Sequence, residues 1–243
     1  MNNNIHLYNM DCMAFMKQCQ SEAFDLLIAD PPYFSNAYSI ITPGGNLTTT
    51  GIQRRKYSKP HWEPPTEEYF EEMFRVSKQQ IIWGINYYSI LNPGCGRIVW
   101  DKCNDNGTSF SNCEIAYCSM LKHVKIFRFL WNGMCQGNPA KGGTVMQGNK
   151  KLNEKRIHPT QKPIALYQWI YNHFAIKLRN QYHRPVRILD PYLGSASSAI
   201  AALDFDIDFY GLEIDKGYFA AAQRRFEEHN AQMRFQFFNN QEQ

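Results

Sequence analysis

The chain has 243 residues, 44% hydrophobic and 20% charged, the composition of one large globular domain able to bury a sizeable core. A net charge of +4, from 26 basic and 22 acidic residues, is too mild to demand a polyanionic partner and compatible with one if the basic residues cluster. Seven cysteines without a Cys-x-x-Cys pair argue against a zinc site or a disulfide framework, and no apolar run approaches the roughly 18 residues of a membrane span, so a reduced, cytoplasmic protein without metal is expected.

Ile5-His6-Leu7-Tyr8 predicts a first strand. Asp11 follows it, before a helical pattern at Met13, Phe15 and Met16. It reads equally as an N-cap and as a carboxylate at the edge of an α/β sheet where ligands bind. The apolar run Phe24-Asp25-Leu26-Leu27-Ile28-Ala29 predicts a buried strand that exits into Asp30-Pro31-Pro32-Tyr33. Each proline holds its own φ near about −65° and pushes the preceding residue to extended geometry. A carboxylate, an aromatic ring and proline carbonyls therefore project together from a stiff strand end.

From Phe34 to about Pro65 the chain loses periodicity, a length of connection that is usually functional or disordered. It contains the basic cluster Arg54-Arg55-Lys56-Tyr57-Ser58-Lys59, which reads either as a set of phosphate contacts or as a solvated charge run. Thr66-Glu67-Glu68-Tyr69 opens a capped amphipathic helix. Strands are expected at Gln80–Trp83, Arg97–Trp100, Glu114–Ser119 and Val124–Trp131, with a turn at Gly84-Ile85-Asn86 and a short helix from Tyr87 to Leu91. Residues 132–157 form a second glycine-containing basic segment with Lys141, Lys150 and Lys151. It ends at His158-Pro159-Thr160-Gln161-Lys162-Pro163, and a helix is predicted from Ile164 to Ile176.

The last third reads strand, small-residue turn, helix, strand, acid. Val186–Asp190 leads into Tyr192-Leu193-Gly194-Ser195-Ala196, and the strand Asp208–Leu212 ends at Glu213-Ile214-Asp215. Small residues let a ligand approach the backbone, and Glu213 is placed to accept from ribose hydroxyls. A plain βαβ unit without ligand has the same outline. Asp190 stands where a pyrophosphate would lie in a dinucleotide site. A carboxylate there repels a pyrophosphate and suits a cationic ligand such as S-adenosylmethionine.

Taken in order, Asp30-Pro31-Pro32-Tyr33, Trp83-Gly84-Ile85-Asn86-Tyr87-Tyr88, Ile98-Val99-Trp100-Asp101-Lys102, His158–Pro163, Asp190–Ser195 and Gly211-Leu212-Glu213-Ile214-Asp215 resemble the DNA amino-methyltransferases of the permuted (beta) class. The resemblance implies a Rossmann-like S-adenosylmethionine-dependent methyltransferase fold: a seven-stranded mixed sheet with one antiparallel strand and helices on both faces. It implies a catalytic half (1–131), a candidate DNA-recognition insert (132–157) and a cofactor half (158–243), all in one domain. Asp30, Pro31, Pro32 and Tyr33 would be catalytic. Asp11, Cys12, Asp30, His158, Thr160, Lys162, Asp190, Tyr192, Gly194, Ser195, Ala196, Glu213 and Ile214 would line the cofactor site. Arg54, Arg55, Lys56, Lys59, Lys141, Lys150 and Lys151 would face double-stranded DNA. Members of the class are often homodimers, and they occur both in restriction-modification pairs and in phage.

Asp30 favours adenine N6 as the acceptor. Cytosine N4, a protein glutamine acceptor and a catalytically idle binding module are the alternatives. The family's turn usually reads Gly-Ser-Gly, whereas this chain has Gly194-Ser195-Ala196. If position 196 requires φ > 0, alanine there costs roughly 1 kcal/mol.

Overall fold

The computed structural model describes residues 4–33, 63–89, 94–104, 111–132, 135–137 and 153–239, with side chains up to residue 233. The elements in chain order are β1 (Asn4–Tyr8), α1 (Cys12–Met16), β2 (Leu26–Ala29), α2 (Glu67–Val76), β3 (Gln80–Trp83), β4 (Arg97–Asp101), β5 (Cys113–Cys118), β6 (Val124–Arg128), β7 (Leu130–Asn132), β8 (Cys135–Gly137), α3 (Ile164–Ile170), α4 (Ile176–Tyr182), β9 (Val186–Asp190), α5 (Ser197–Ala202), β10 (Ile207–Leu212) and α6 (Lys216–Asn239).

Eight strands form one sheet in the order β1-β10-β9-β2-β3-β5-β4-β6. Only β5 is reversed: it pairs antiparallel with β3 and β4, and the other pairings in this sheet are parallel. The sheet thus has the expected mixed character and single reversal, with one strand more than the seven that the resemblance implies. The run Val124–Trp131, expected as one strand, breaks at Phe129. β6 continues the main sheet, and β7 turns away to pair with β8 as a small hairpin.

Strand alternation divides the interior into two cores. Leu26, Ile28, Ile81, Trp83, Ile188 and Phe209 point to one face, where α3, α4 and α5 pack through Leu166, Ile170, Leu178 and Ala199. Leu27, Ala29, Ile82, Leu189 and Leu212 point to the other, against Met16 of α1 and Phe70 and Met73 of α2. Central parallel strands buried on both faces read as continuous apolar runs, as β2 does.

α2 illustrates how local sequence sets an element. The Thr66 hydroxyl accepts from the Tyr69 amide, Glu67 and Glu68 occupy the first turn, and Arg75 lies in the last. Its buried residues Tyr69, Phe70, Met73 and Val76 fall on one face. The predicted helix from Ile164 runs on to Tyr182, interrupted by a π-helical turn over Tyr171–Ala175. There the Tyr171 hydroxyl donates to the Ser198 carbonyl at 3.0 Å, tying the wide turn to α5.

Candidate active site

The carboxyl ends of β2, β3, β4 and β9 share one edge of the sheet. Because β5 runs the other way, its first residues, Cys113 and Glu114, come to that same edge, with Glu114 opposite Trp100 of β4. Two groups of side chains meet here.

The first group surrounds Asp30. Lys162 is buried, with Nζ 2.5 Å from Asp30 Oδ2 and 2.8 Å from Glu114 Oε2. Lys102 closes the row, 2.6 Å from Glu114 Oε1. The Tyr33 hydroxyl donates to Asp30 Oδ1 at 2.8 Å, and the Tyr88 hydroxyl donates to the Pro31 carbonyl at 2.9 Å. Tyr33 stacks on Tyr87 with ring centroids 4.8 Å apart and planes 16° from parallel. A small cleft opens between Tyr33, Asn86, Tyr87, Cys113 and Glu114.

Charge in this group alternates along Lys102, Glu114, Lys162 and Asp30. Burial alone would raise the Glu114 carboxyl, but Lys162 and Lys102 on its two oxygens outweigh that and hold it at about 2. Burial, reinforced by Glu114, pushes the Asp30 carboxyl above its usual range against the pull of Lys162. Lys162 is raised too, since the two carboxylates overcome the cost of burying its charge. Burial also lifts the Tyr33 phenol, which stays protonated and able to donate.

The second group lies at the ends of β9 and β10. Asp190 accepts from the Ser198 hydroxyl at 2.5 Å and from the Tyr192 amide at 3.0 Å. Glu213 accepts from the Gly194 amide at 3.1 Å and the Asp215 amide at 2.9 Å. Burial is the main cause that pushes both carboxyls up to about 7. Repulsion links the groups, from Asp30 to Asp190 and from Asp190 to Glu213. Burial holds His158 at about 4, hence neutral near pH 7, with Thr160 Oγ1 3.1 Å from its Nδ1 and Tyr218 edge-on at 4.4 Å.

The turn between β9 and α5 is held from outside. Arg225 of α6 donates to the Ser195 carbonyl at 2.6 Å and the Ser197 hydroxyl at 2.9 Å, and its other nitrogen pairs with Glu154 at 2.9 Å. Ser195 Oγ lies 3.1 Å from Ser197 Oγ. Ala196 has φ 60° and ψ 23° and is completely buried, so this non-glycine residue does occupy the left-handed region.

Asp11 caps α1, its Oδ1 accepting from the Ala14 amide at 2.8 Å, and remains exposed. Cys12 faces Tyr69 and Tyr192, and burial raises its thiol to about 11. Ile214 is exposed beside Glu213, and its carbonyl, with that of Glu213, accepts from Asn9 at 3.1 and 2.8 Å. Lys162, expected to line the cofactor site, is engaged by Asp30 and Glu114. Glu114, Tyr88 and Arg225 were not among the expected site residues. Arg54, Arg55, Lys56, Lys59, Lys141, Lys150 and Lys151 lie outside the described residues.

A mostly parallel sheet with a reversed strand near one side, and a row of acids along its carboxyl edge, defines a Rossmann-like methyltransferase fold. The PvuII DNA methyltransferase, described as cytosine-N4-specific, superimposes with a TM-score of 0.52 at 12% identity over 94% of this chain and 91% of its own. Residues 120–224 match the DNA methylase family. Two relatives extend the match along the chain. The Type II methyltransferase M.HinfI of Haemophilus influenzae is 25% identical over 90% of this chain and 67% of its own length. The Type II methyltransferase M2.DpnII of Streptococcus pneumoniae is 24% identical over 94% and 91%. The chain is thus similar to the DNA methylase family over residues 120–224 and to Type II methyltransferases over most of its length. Among the described residues no helix is long and apolar enough to cross a membrane.

Proposed function

We propose that this protein is a cytoplasmic, site-specific DNA methyltransferase that methylates the exocyclic N6 of adenine with S-adenosylmethionine as donor. The observation that carries the reading is the adjacency of two strand ends. Asp30-Pro31 leaves β2 and Asp190 ends β9, and these strands pair in parallel. Acceptor groups and donor-site groups therefore stand side by side.

The residues at β9 and β10 fit S-adenosylmethionine. Asp190 and Glu213 keep lone pairs that suit an ammonium group and ribose hydroxyls, while neutral His158 adds no competing cation. When bound, S-adenosylmethionine supplies an electrophilic methyl group.

An exocyclic amine is a poor nucleophile because its lone pair is delocalised into the ring. Asp30 and the Pro31 carbonyl accept its two N–H groups, which frees the lone pair and faces the charge that develops on nitrogen. Asp30 then holds the proton that the methylated amine sheds. The base must leave the duplex, and Tyr33 offers it a stacking surface once Tyr87 gives way. In this reading residues 1–131 are the catalytic half, 132–157 a DNA-recognition insert and 158–243 the cofactor half. Arg54, Arg55, Lys56, Lys59, Lys141, Lys150 and Lys151 meet phosphates. A homodimer belongs to the same reading through the family resemblance.

Expression in a methylation-free host followed by single-molecule sequencing of modified bases tests the reading. N6-methyladenine at one short sequence, lost on Asp30→Ala while cofactor binding persists, is the expected result. N4-methylcytosine, or no modification, overturns it.

A further inference from the structure

We propose that Lys162 is a positioning residue for Asp30, keeping its buried carboxylate charged and aimed, and that Glu114, itself anchored by Lys102, holds Lys162 in place. This rests on the reading of Asp30 as the group that meets the amine. It departs from the cofactor contact that the family resemblance assigns to this lysine.

The geometry leaves Lys162 little freedom. It is 4% exposed, with a carboxylate on each side at 2.5 and 2.8 Å, and it lies 5.4 Å from the Trp83 ring centroid and 5.8 Å from that of Tyr33. A lysine ammonium has three donor hydrogens, and Asp30, Glu114 and the Tyr33 hydroxyl at 3.4 Å take up that number. A side chain so engaged has no donor left for a ligand's carboxylate.

The charges explain why such a group is needed. Asp30 is faced by Glu114 and Asp190, both acids, and by Tyr33, Tyr88 and Tyr167, whose phenols burial keeps neutral. Lys162 is the cation in that set. Without it, burial and two acidic neighbours would protonate Asp30, and a protonated carboxyl cannot serve as the double acceptor the amine requires. Glu114 has the opposite influence: by sharing Lys162 it leaves Asp30 part of its basicity. The two neighbours should therefore move Asp30 in opposite directions, a signature that a merely structural role would not produce.

The test uses the whole protein, labelled with ¹³C at aspartate side-chain carboxyls, with the Asp30 signal assigned by its loss in Asp30→Asn. Lys162→Met should raise the Asp30 titration midpoint by about one pH unit or more, and Glu114→Gln should lower it. Lys162→Arg should keep it near the wild-type value. Single-turnover transfer to genomic DNA from a methylation-free host should follow. Below pH 7 the Lys162→Met rate falls more than about tenfold and recovers at pH 9, while the Kd for S-adenosylmethionine changes less than about twofold.

A raised Kd with an unmoved Asp30 midpoint overturns the proposal and makes Lys162 a cofactor ligand. If Lys162→Met does not fold, Glu114→Gln decides, and an unmoved or raised midpoint there overturns it. Opposite shifts in the two variants, together with a wild-type protein that methylates no DNA, would support the charge arrangement and refute the function proposed above.

Discussion

Gly84 lies directly beneath the ring of Tyr33: a methyl group on its Cα would sit 2.1 Å from Tyr33 Cε1. Its φ of +70° is also one that L side chains rarely adopt. Gly84→Ala should displace the Tyr33 ring, and with it the hydroxyl that orients Asp30. The expected result is a fall of about 10²-fold in single-turnover methyl transfer, with S-adenosylmethionine affinity unchanged. Equal losses in both measurements would place the damage elsewhere.

Ala196 carries its strain inside the turn at β9. Ala196→Gly relieves roughly 1 kcal/mol of left-handed strain and adds a similar amount of unfolded-chain entropy, so stability should stay within about 1 kcal/mol of wild type. Ala196→Val, β-branched at a buried position with φ 60°, should cost about 2 kcal/mol or more. Urea unfolding at pH 7 measures both.

Asp190 and Glu213 have carboxyls pushed up to about 7 by burial in the ligand-free protein. A raised acid stabilises the fold below its unfolded value and loses that contribution as pH rises through the folded value. Folding stability from this pair therefore declines from about pH 4 to pH 7. In the function proposed above, cofactor binding runs the other way, because the ammonium group calls for an ionised Asp190. Affinity for S-adenosylmethionine should rise about tenfold per group between pH 6 and pH 8, and Asp190→Asn should flatten the profile. Equilibrium binding across that range is the check.

Asp25 serves the opposite end of the sheet. It is 1% exposed and accepts from Arg184 at 2.7 and 2.8 Å, from Lys78 at 3.1 Å and from the Arg187 amide at 3.0 Å. Burial would raise this carboxyl, but those donors prevail and hold it below its usual value. Its stabilisation is therefore present above the unfolded value and fades as pH falls through the folded one. Asp25→Ala should cost about 2 kcal/mol at pH 7, less than for a wholly buried pair because Arg184 and Lys78 regain water. The difference from wild type should shrink at pH 3, with methyl transfer at neutral pH little changed.

Much of this molecule is legible in its sequence, for reasons visible at single residues. Leu26 to Ala29 announces a central strand because both its faces are buried, and Thr66 announces a helix because its hydroxyl caps one. Glu114 escapes notice because an acid in a strand ordinarily points to water; only the reversal of β5 turns it toward Lys162. The π-helical turn at Tyr171 leaves no local mark, since its register is set by a hydrogen bond to Ser198 in another element. The β7–β8 hairpin is hidden for a similar reason. Gln136 is fixed by two hydrogen bonds to the backbone of Glu154, a partner no short-range pattern foretells.

The pairing of β2 with β9 carries a consequence for how catalytic precision is kept. Neighbouring strands in a sheet lie about 4.8 Å apart, a spacing fixed by backbone hydrogen bonds rather than by side chains. In the function proposed above, Asp30, which serves the acceptor, follows one of these strands, and Asp190, which serves the donor, ends the other. The separation of those two strand ends is therefore set by the backbone of the sheet rather than by the side chains around it.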